Sequence, residues 1–197
     1  MNPELSFIAR LREIAKHPAA RGLLDDAAVL EVGGTKLVLT QDTLVEGVHF
    51  LNSDPPESVA WKLLAVNLSD LAAKGAAPIA ALTSFSLTGD ADWDAAFVVG
   101  LGKALDHFGV ALIGGDTVSA RERSVGLTMI GEAKGHVPAR SGAREGDALF
   151  VTGTIGDAGL GLAIARGNLT GADALLDAYR TPVPQLAAGK ALAPTVS

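Results

Sequence analysis

Two long helical segments, 54–74 and 90–107, each closed by a glycine and separated by one strand-like run, constrain this chain more than any other feature. Asp54-Pro55-Pro56-Glu57 opens the first, because proline is tolerated in a first helical turn, and Gly75 and Pro78 close it. Asp90 opens the second, with Gly109 just past its end. Strand-like runs lie at 27–32, 36–40 and 44–51 before the first helix, at 79–87 between the two, and at 110–113 and 124–133 after the second. Gly33-Gly34 reads as a hairpin turn, and 110–113 as a short buried strand. A helix over 4–17, with Leu5, Ile8, Leu11 and Ile14 on one face, precedes them and is stopped by Pro18. This order predicts an α+β fold, a mixed sheet with helices on one face.

The stretch 135–147 is polar, basic and glycine-rich, and divides a first unit, 1–134, from a second, 135–197. The second unit is expected to begin with a strand over 148–152. A glycine-rich loop over 153–161 then leads into a helix, and two short helices follow near 171–179 and 184–192. The absence of cysteine excludes disulfide frameworks, thiolate zinc sites, iron–sulfur clusters and cysteine nucleophiles. A net charge of −6 provides no general basic face for nucleic acid. No apolar run reaches the roughly 18 residues of a membrane span, and the N-terminus lacks a signal-peptide core. A cytoplasmic protein is expected.

Acidic residues beside element ends carry the chemistry: Asp25 and Asp26 before a strand, Asp42 after one, Asp70 inside a helix beside Leu68, Leu71 and Ala72, and Asp116 after a strand. A carboxylate among apolar neighbours is costly unless paired or metal-bound. Several hard oxygens converging on one point would suit Mg²⁺ shared with substrate phosphates. Taken singly, each of these residues is better read as a backbone cap; it is the set together that points to a metal. Gly114-Gly115-Asp116-Thr117 reads either as a turn or as a close backbone approach to phosphate. His49 reads as a substrate or acid–base group or as a structural histidine, and Arg140 and Arg144 as phosphate holders or solvated charges. Lys74 reads as a partner of the helix dipole. The loop 153–161 precedes a helix but has neither a P-loop nor a dinucleotide pattern, and zincin, α/β-hydrolase and protein-kinase signatures are absent.

Together, Leu24-Asp25-Asp26-Ala27, Gln41-Asp42-Thr43-Leu44-Val45-Glu46-Gly47-Val48-His49-Phe50, Asn67-Leu68-Ser69-Asp70-Leu71-Ala72-Ala73-Lys74-Gly75-Ala76, Ile113-Gly114-Gly115-Asp116-Thr117, Arg140-Ser141-Gly142-Ala143 and Val151-Thr152-Gly153-Thr154-Ile155-Gly156-Asp157 resemble the signatures of the thiamine-monophosphate kinase family, part of the aminoimidazole-ribonucleotide-synthetase-like superfamily. The resemblance implies ATP-dependent, Mg²⁺-assisted phosphorylation of thiamine phosphate to thiamine diphosphate. It implies a homodimer in which the N-terminal α+β units close a β-barrel, with ATP and substrate lying against a second α/β domain. By position it implies Asp26, Asp42, Asp70 and Asp116 as metal ligands, with Thr40 and Gln41 at neighbouring metal positions. It further implies Gly115, Asp116 and Arg140 as ATP contacts and His49 as a substrate contact. Leu24 stands where the family usually has glycine, and Gln41 where it has threonine or serine. Family members continue into an Asp-rich S-D-G-type motif, so the second domain here is expected to be partial. The alternatives are another ATP-using synthetase of the superfamily, or a non-catalytic nucleotide-binding dimerisation module. The selenophosphate type normally carries a reactive cysteine or selenocysteine, which this chain lacks.

Overall fold

The structure, a computed structural model, describes residues 3–196. Helix α1 (Pro3–Arg12) and a 3₁₀ turn (Pro18–Leu23) lead into a hairpin of β1 (Ala28–Val32) and β2 (Thr35–Val45). Gly33 and Gly34 close it with φ of 59° and 83°, the paired positive values that a two-residue hairpin turn requires. Helix α2 (Pro56–Ala73), β3 (Ala77–Leu87), α3 (Ala91–Phe108), β4 (Ala111–Ser119) and β5 (Ser124–Ala133) follow. The five strands form one mixed sheet in the order β1-β2-β5-β3-β4, in which only β3 and β4 are parallel. The expected α+β class therefore stands, with α2 lying across β2, β5 and β3.

Strand alternation sets the two faces of the sheet. Val38 and Leu44 of β2, Ala81 of β3, and Val125, Leu127 and Met129 of β5 enter the core with α2 and α3. Phe97 of α3 meets Phe85 of β3 edge-on, with centroids 4.7 Å apart. The opposite face carries Leu37, Leu39, Thr43, Leu82, Ser84 and Ile130, all partly or fully exposed.

Helix α2 is apolar on nearly every side because it is covered on nearly every side. The sheet lies beneath it and α3 beside it, where the backbone at Gly100 sits against Glu57. The later helices α4 (Asp157–Ala165), α5 (Asp173–Arg180) and α6 (Leu186–Leu192) continue the chain. Of these, α6 lays Gly189 on the carbonyl of Ala72, and Trp61 Nε1 donates to Pro182 O at 2.9 Å.

Several expectations change. Helix α1 ends at Arg12, and Ile14 stands 77% exposed, with no surface to hold a longer apolar face. The run 44–51 is the end of β2 followed by a turn: Gly47 has φ +77°, and Phe50 folds back into the core beside Trp93. Of the run 110–113, Val110 is buried in the core just before the strand, and 111–113 are neither a short strand nor buried. Ala111, Leu112 and Ile113 open the nine-residue edge strand β4 (Ala111–Ser119), which is paired on one side only and exposed at every residue. The run 148–152 forms no strand, since none of the described strands pairs with it, and Phe150 is 94% exposed.

Because a Cβ at Gly100 would collide with Glu57, Gly100→Val is expected to separate α3 from α2 and destabilise the protein by about 1–3 kcal/mol. Urea unfolding with an unchanged midpoint would contradict this packing.

Candidate active site

Three separate segments bring carboxylates to one end of the core face. Thr40 and Asp42 lie two apart on β2, opposite Met129 and Leu127 of β5, so both point toward α2. Thr40 is buried, and its hydroxyl donates to Asp70 Oδ2 of α2 at 2.5 Å. The same hydroxyl lies 3.3 Å from the carbonyl oxygen of Asp26, in the loop before β1. One threonine thus links the three acidic strings.

The electrostatics follow from this crowding. Burial first, then the charges of Asp42 and Asp26, push the Asp70 carboxyl up to about 6, against the Thr40 hydrogen bond and the Lys74 charge. Burial and the Asp26 charge also raise Asp42, while His49 acts the other way. Asp26 is held by Arg140, whose Nη2 pairs with Oδ1 and whose Nε donates to Oδ2 at 3.2 Å. Among the described residues, no group of three acidic or histidine side chains is arranged to cage a metal unaided. The donors are nevertheless hard carboxylate and hydroxyl oxygens, the type that Mg²⁺ takes, and a divalent cation would relieve the mutual repulsion of the carboxylates.

His49 occupies the turn after β2. Its Nδ1 accepts from the Val45 amide at 3.0 Å, which assigns the neutral ring's proton to Nε2. The turn is anchored at both ends. Arg123 Nη1 donates to Glu46 Oε2 at 2.9 Å, with the guanidinium 4.1 Å from the Trp93 ring centroid. At the other end, buried Asp54 receives the Leu51 amide at 2.9 Å, the Tyr179 hydroxyl at 2.7 Å and Arg180 Nε at 3.0 Å. Lys62, pushed down to about 8 by burial, places Nζ 3.6 Å from the Tyr179 ring centroid and 3.5 Å from the His49 carbonyl.

Other expected residues lie apart. Gln41 alternates to the opposite sheet face, where its Oε1 accepts from Thr128 Oγ1 at 3.2 Å. Gly115 lies against Thr83 of β3, where any Cβ would strike the carbonyl. Asp116 pairs in register with Ser84. Ser84 shares a face with Thr43 and Gly126, whereas Asp42 shares the core face with Leu127. Asp116 is therefore three strands from Asp42, roughly 14 Å, and by register on the other face.

Asp25 and Lys74 take roles that their local sequence did not indicate. Lys74 is not exposed at a helix end as a partner of the dipole; it is buried and paired with Asp25. The available sign was its place three residues after Leu71 and eleven after Leu63, in line with the apolar stripe of α2.

The folded Asp70 value, about 6, lies above its ordinary 3.8, so ionisation destabilises the metal-free fold increasingly as pH rises through that interval. Asp70→Asn is expected to gain about 1–2 kcal/mol over wild type at pH 8, the difference closing below about pH 4. Urea unfolding with a chelator at both pH values checks this, and a pH-independent difference would refute it.

The model of the AIR synthase related protein N-terminal domain matches residues 24–133. The chain is 43% identical over 191 residues to the thiamine-monophosphate kinase of Caulobacter vibrioides, covering 93% of this chain and 54% of that protein. It is 40% identical over 204 residues to that of Escherichia coli K12, covering 96% and 61%. The chain thus spans little more than half the length of these curated relatives. Among solved structures, it resembles AaThiL complexed with AMPPCP and TMP, with TM-score 0.88 and 31% identity over 96% of this chain and 62% of that one. It also resembles hydrogenase maturation protein HypE in complex with ATP, with TM-score 0.66 and 26% identity over 90% and 53%. The chain belongs to the AIR synthase related protein family, whose N-terminal domain it carries, and is similar over nearly its whole length to thiamine-monophosphate kinases.

Proposed function

We propose that this chain is the N-terminal part of a Mg²⁺-dependent kinase that transfers the γ-phosphoryl group of ATP to thiamine phosphate, giving thiamine diphosphate and ADP. The observation that carries this reading is the Thr40 hydroxyl joining Asp70 and Asp26 beside Asp42, in a chain similar to thiamine-monophosphate kinases. The unit 1–134 supplies the acidic cluster. The segment 135–197 supplies α5 and α6, which brace α2.

Asp26, Asp42 and Asp70 are the proposed metal-holding carboxylates, with Thr40 orienting Asp70. These residues would hold Mg²⁺, which would supply charge neutralisation between the two polyanions. The acceptor phosphate has a second pKa of about 6 and is already anionic near neutral pH, so an oxygen attacks γ-phosphorus without a general base. The new oxygen–phosphorus bond forms as the bond to the bridging oxygen breaks, and that oxygen leaves with ADP. His49 Nε2–H serves as a donor to the substrate phosphate. Arg140 serves the nucleotide, its guanidinium holding phosphate oxygens by paired hydrogen bonds, and Gly115, beside Asp116, does so from a second copy.

Asp116 belongs to this site through a second copy. Within one chain it is remote from Asp42, while β4 exposes Leu112, Ile113 and Val118 along an unpaired edge. We propose that two copies close a β-barrel through these surfaces, each giving Asp116 to its partner's cluster.

Two measurements test the reading in the full protein. Asp42→Asn should lower thiamine diphosphate formation about 100-fold or more while leaving the unfolding midpoint near wild type. Near-normal turnover would remove Asp42 from the site, and no product from wild type would refute the kinase itself. Mixing inactive Asp42→Asn with inactive Asp116→Asn should restore about a quarter of wild-type activity, since half of the dimers are mixed and each holds one intact site. Absence of restoration would refute the shared site.

A further inference from the structure

Arg21, Asp25 and Lys74 form a compact ionic group outside the proposed metal-holding set. The Lys74 and Asp25 side chains are 3% and 4% exposed, and they pair directly. Arg21 Nη1 lies 2.8 Å from the other Asp25 oxygen. Burial opposes ionisation of Asp25, but the Lys74 hydrogen bond, the Asp26 amide and the two cationic charges hold its carboxyl below the usual range.

Both cations also reach across the chain to the same short segment. Lys74 Nζ donates to Pro138 O at 3.2 Å. Arg21 Nη1 donates to Pro138 O and its Nη2 to Val137 O, each at 3.1 Å. Arg21 adopts φ 50° and ψ 32°, a left-handed conformation that a non-glycine residue holds only when its surroundings enforce it. Two residues beyond Pro138 stands Arg140, exposed on its own account and paired with Asp26, which directly follows Asp25.

We infer that Arg21, Asp25 and Lys74 are positioning residues: a buried ionic clasp that grips the carbonyls of Val137 and Pro138 and so sets Arg140 at the acidic cluster. The consequence for nucleotide binding rests on the kinase reading above; the clasp itself does not. Carbonyl oxygens are fixed points on the backbone, so three charge-assisted hydrogen bonds to two neighbouring ones fix where the following residues emerge. An exposed arginine would otherwise sample many rotamers before meeting a phosphate, and holding it in place lowers that ordering cost.

Removing one charge alone leaves the other buried and unpaired, which unfolds proteins for unrelated reasons. The test therefore uses the paired variant Lys74→Met/Asp25→Asn. Backbone hydrogen exchange at 139–142, where the Gly142 amide bonds Ala139 O, should quicken roughly tenfold or more, with β5 amides unchanged. Affinity for a non-hydrolysable ATP analogue with Mg²⁺ should fall about tenfold, as should that of Arg140→Ala, and the combined variant should lose no more than either. Unchanged exchange at 139–142, or additive losses of affinity, would overturn the clasp. A wild-type protein that binds no analogue would refute the kinase reading, while the exchange result would still decide the clasp.

Discussion

The burial of α2 on nearly every side is the condition on which the rest of the molecule depends. A helix enclosed by a sheet, a neighbouring helix and a later segment leaves only a few positions, Glu57 and Ser69 among them, to water, so each polar side chain on its covered sides has to find a partner. Lys62 reaches the His49 carbonyl and the Tyr179 ring, and Asn67 Nδ2 returns to Leu63 O. Asp70 receives Thr40, and Lys74 extends to Asp25 and Pro138. Three of these four partnerships leave the helix, and each fixes a loop or strand that bears a proposed functional group. The helix organises the site because it has no other way to accommodate its own polar residues.

The sheet divides the same site with equal strictness. A period of two sends Thr40 and Asp42 toward the helices and Gln41 away, although all three are contiguous in sequence. Spacing along a strand therefore decides which of several neighbouring oxygen donors share a space. The mixed strand order has a comparable effect at longer range. By inserting β5 between β2 and β3, it moves β4 and its Asp116 to the far edge.

Much of this was legible in the sequence where the signal is local. The α2 and α3 boundaries follow from Pro56, Gly75, Asp90 and Gly109, and the hairpin from Gly33-Gly34. The acidic strings were legible as residue types, and Thr40 joins those of Asp26 and Asp70 to its own, that of Asp42. What escaped was decided by partners distant in sequence. Lys74 next to Gly75 reads as a helix-end charge until Asp25, forty-nine residues earlier, is found beside it. Asp54 reads as a helix opener, yet it also gathers Tyr179 and Arg180 from the far end of the chain. The apolar run 148–152 has strand composition but no paired neighbour among the described residues, and 44–51 breaks because Phe50 is better accommodated in the core than in a ladder.

The edge strand β4 has one more consequence. Its nine residues, Ala111 to Ser119, present an open row of backbone donors and acceptors, and Asp116 is the only charge among them. Charged side chains on an edge deter the stacking of one molecule's strand on another's, the route by which exposed sheets aggregate. A like charge at Asp116 on two such edges disfavours registers that would bring the two carboxylates together.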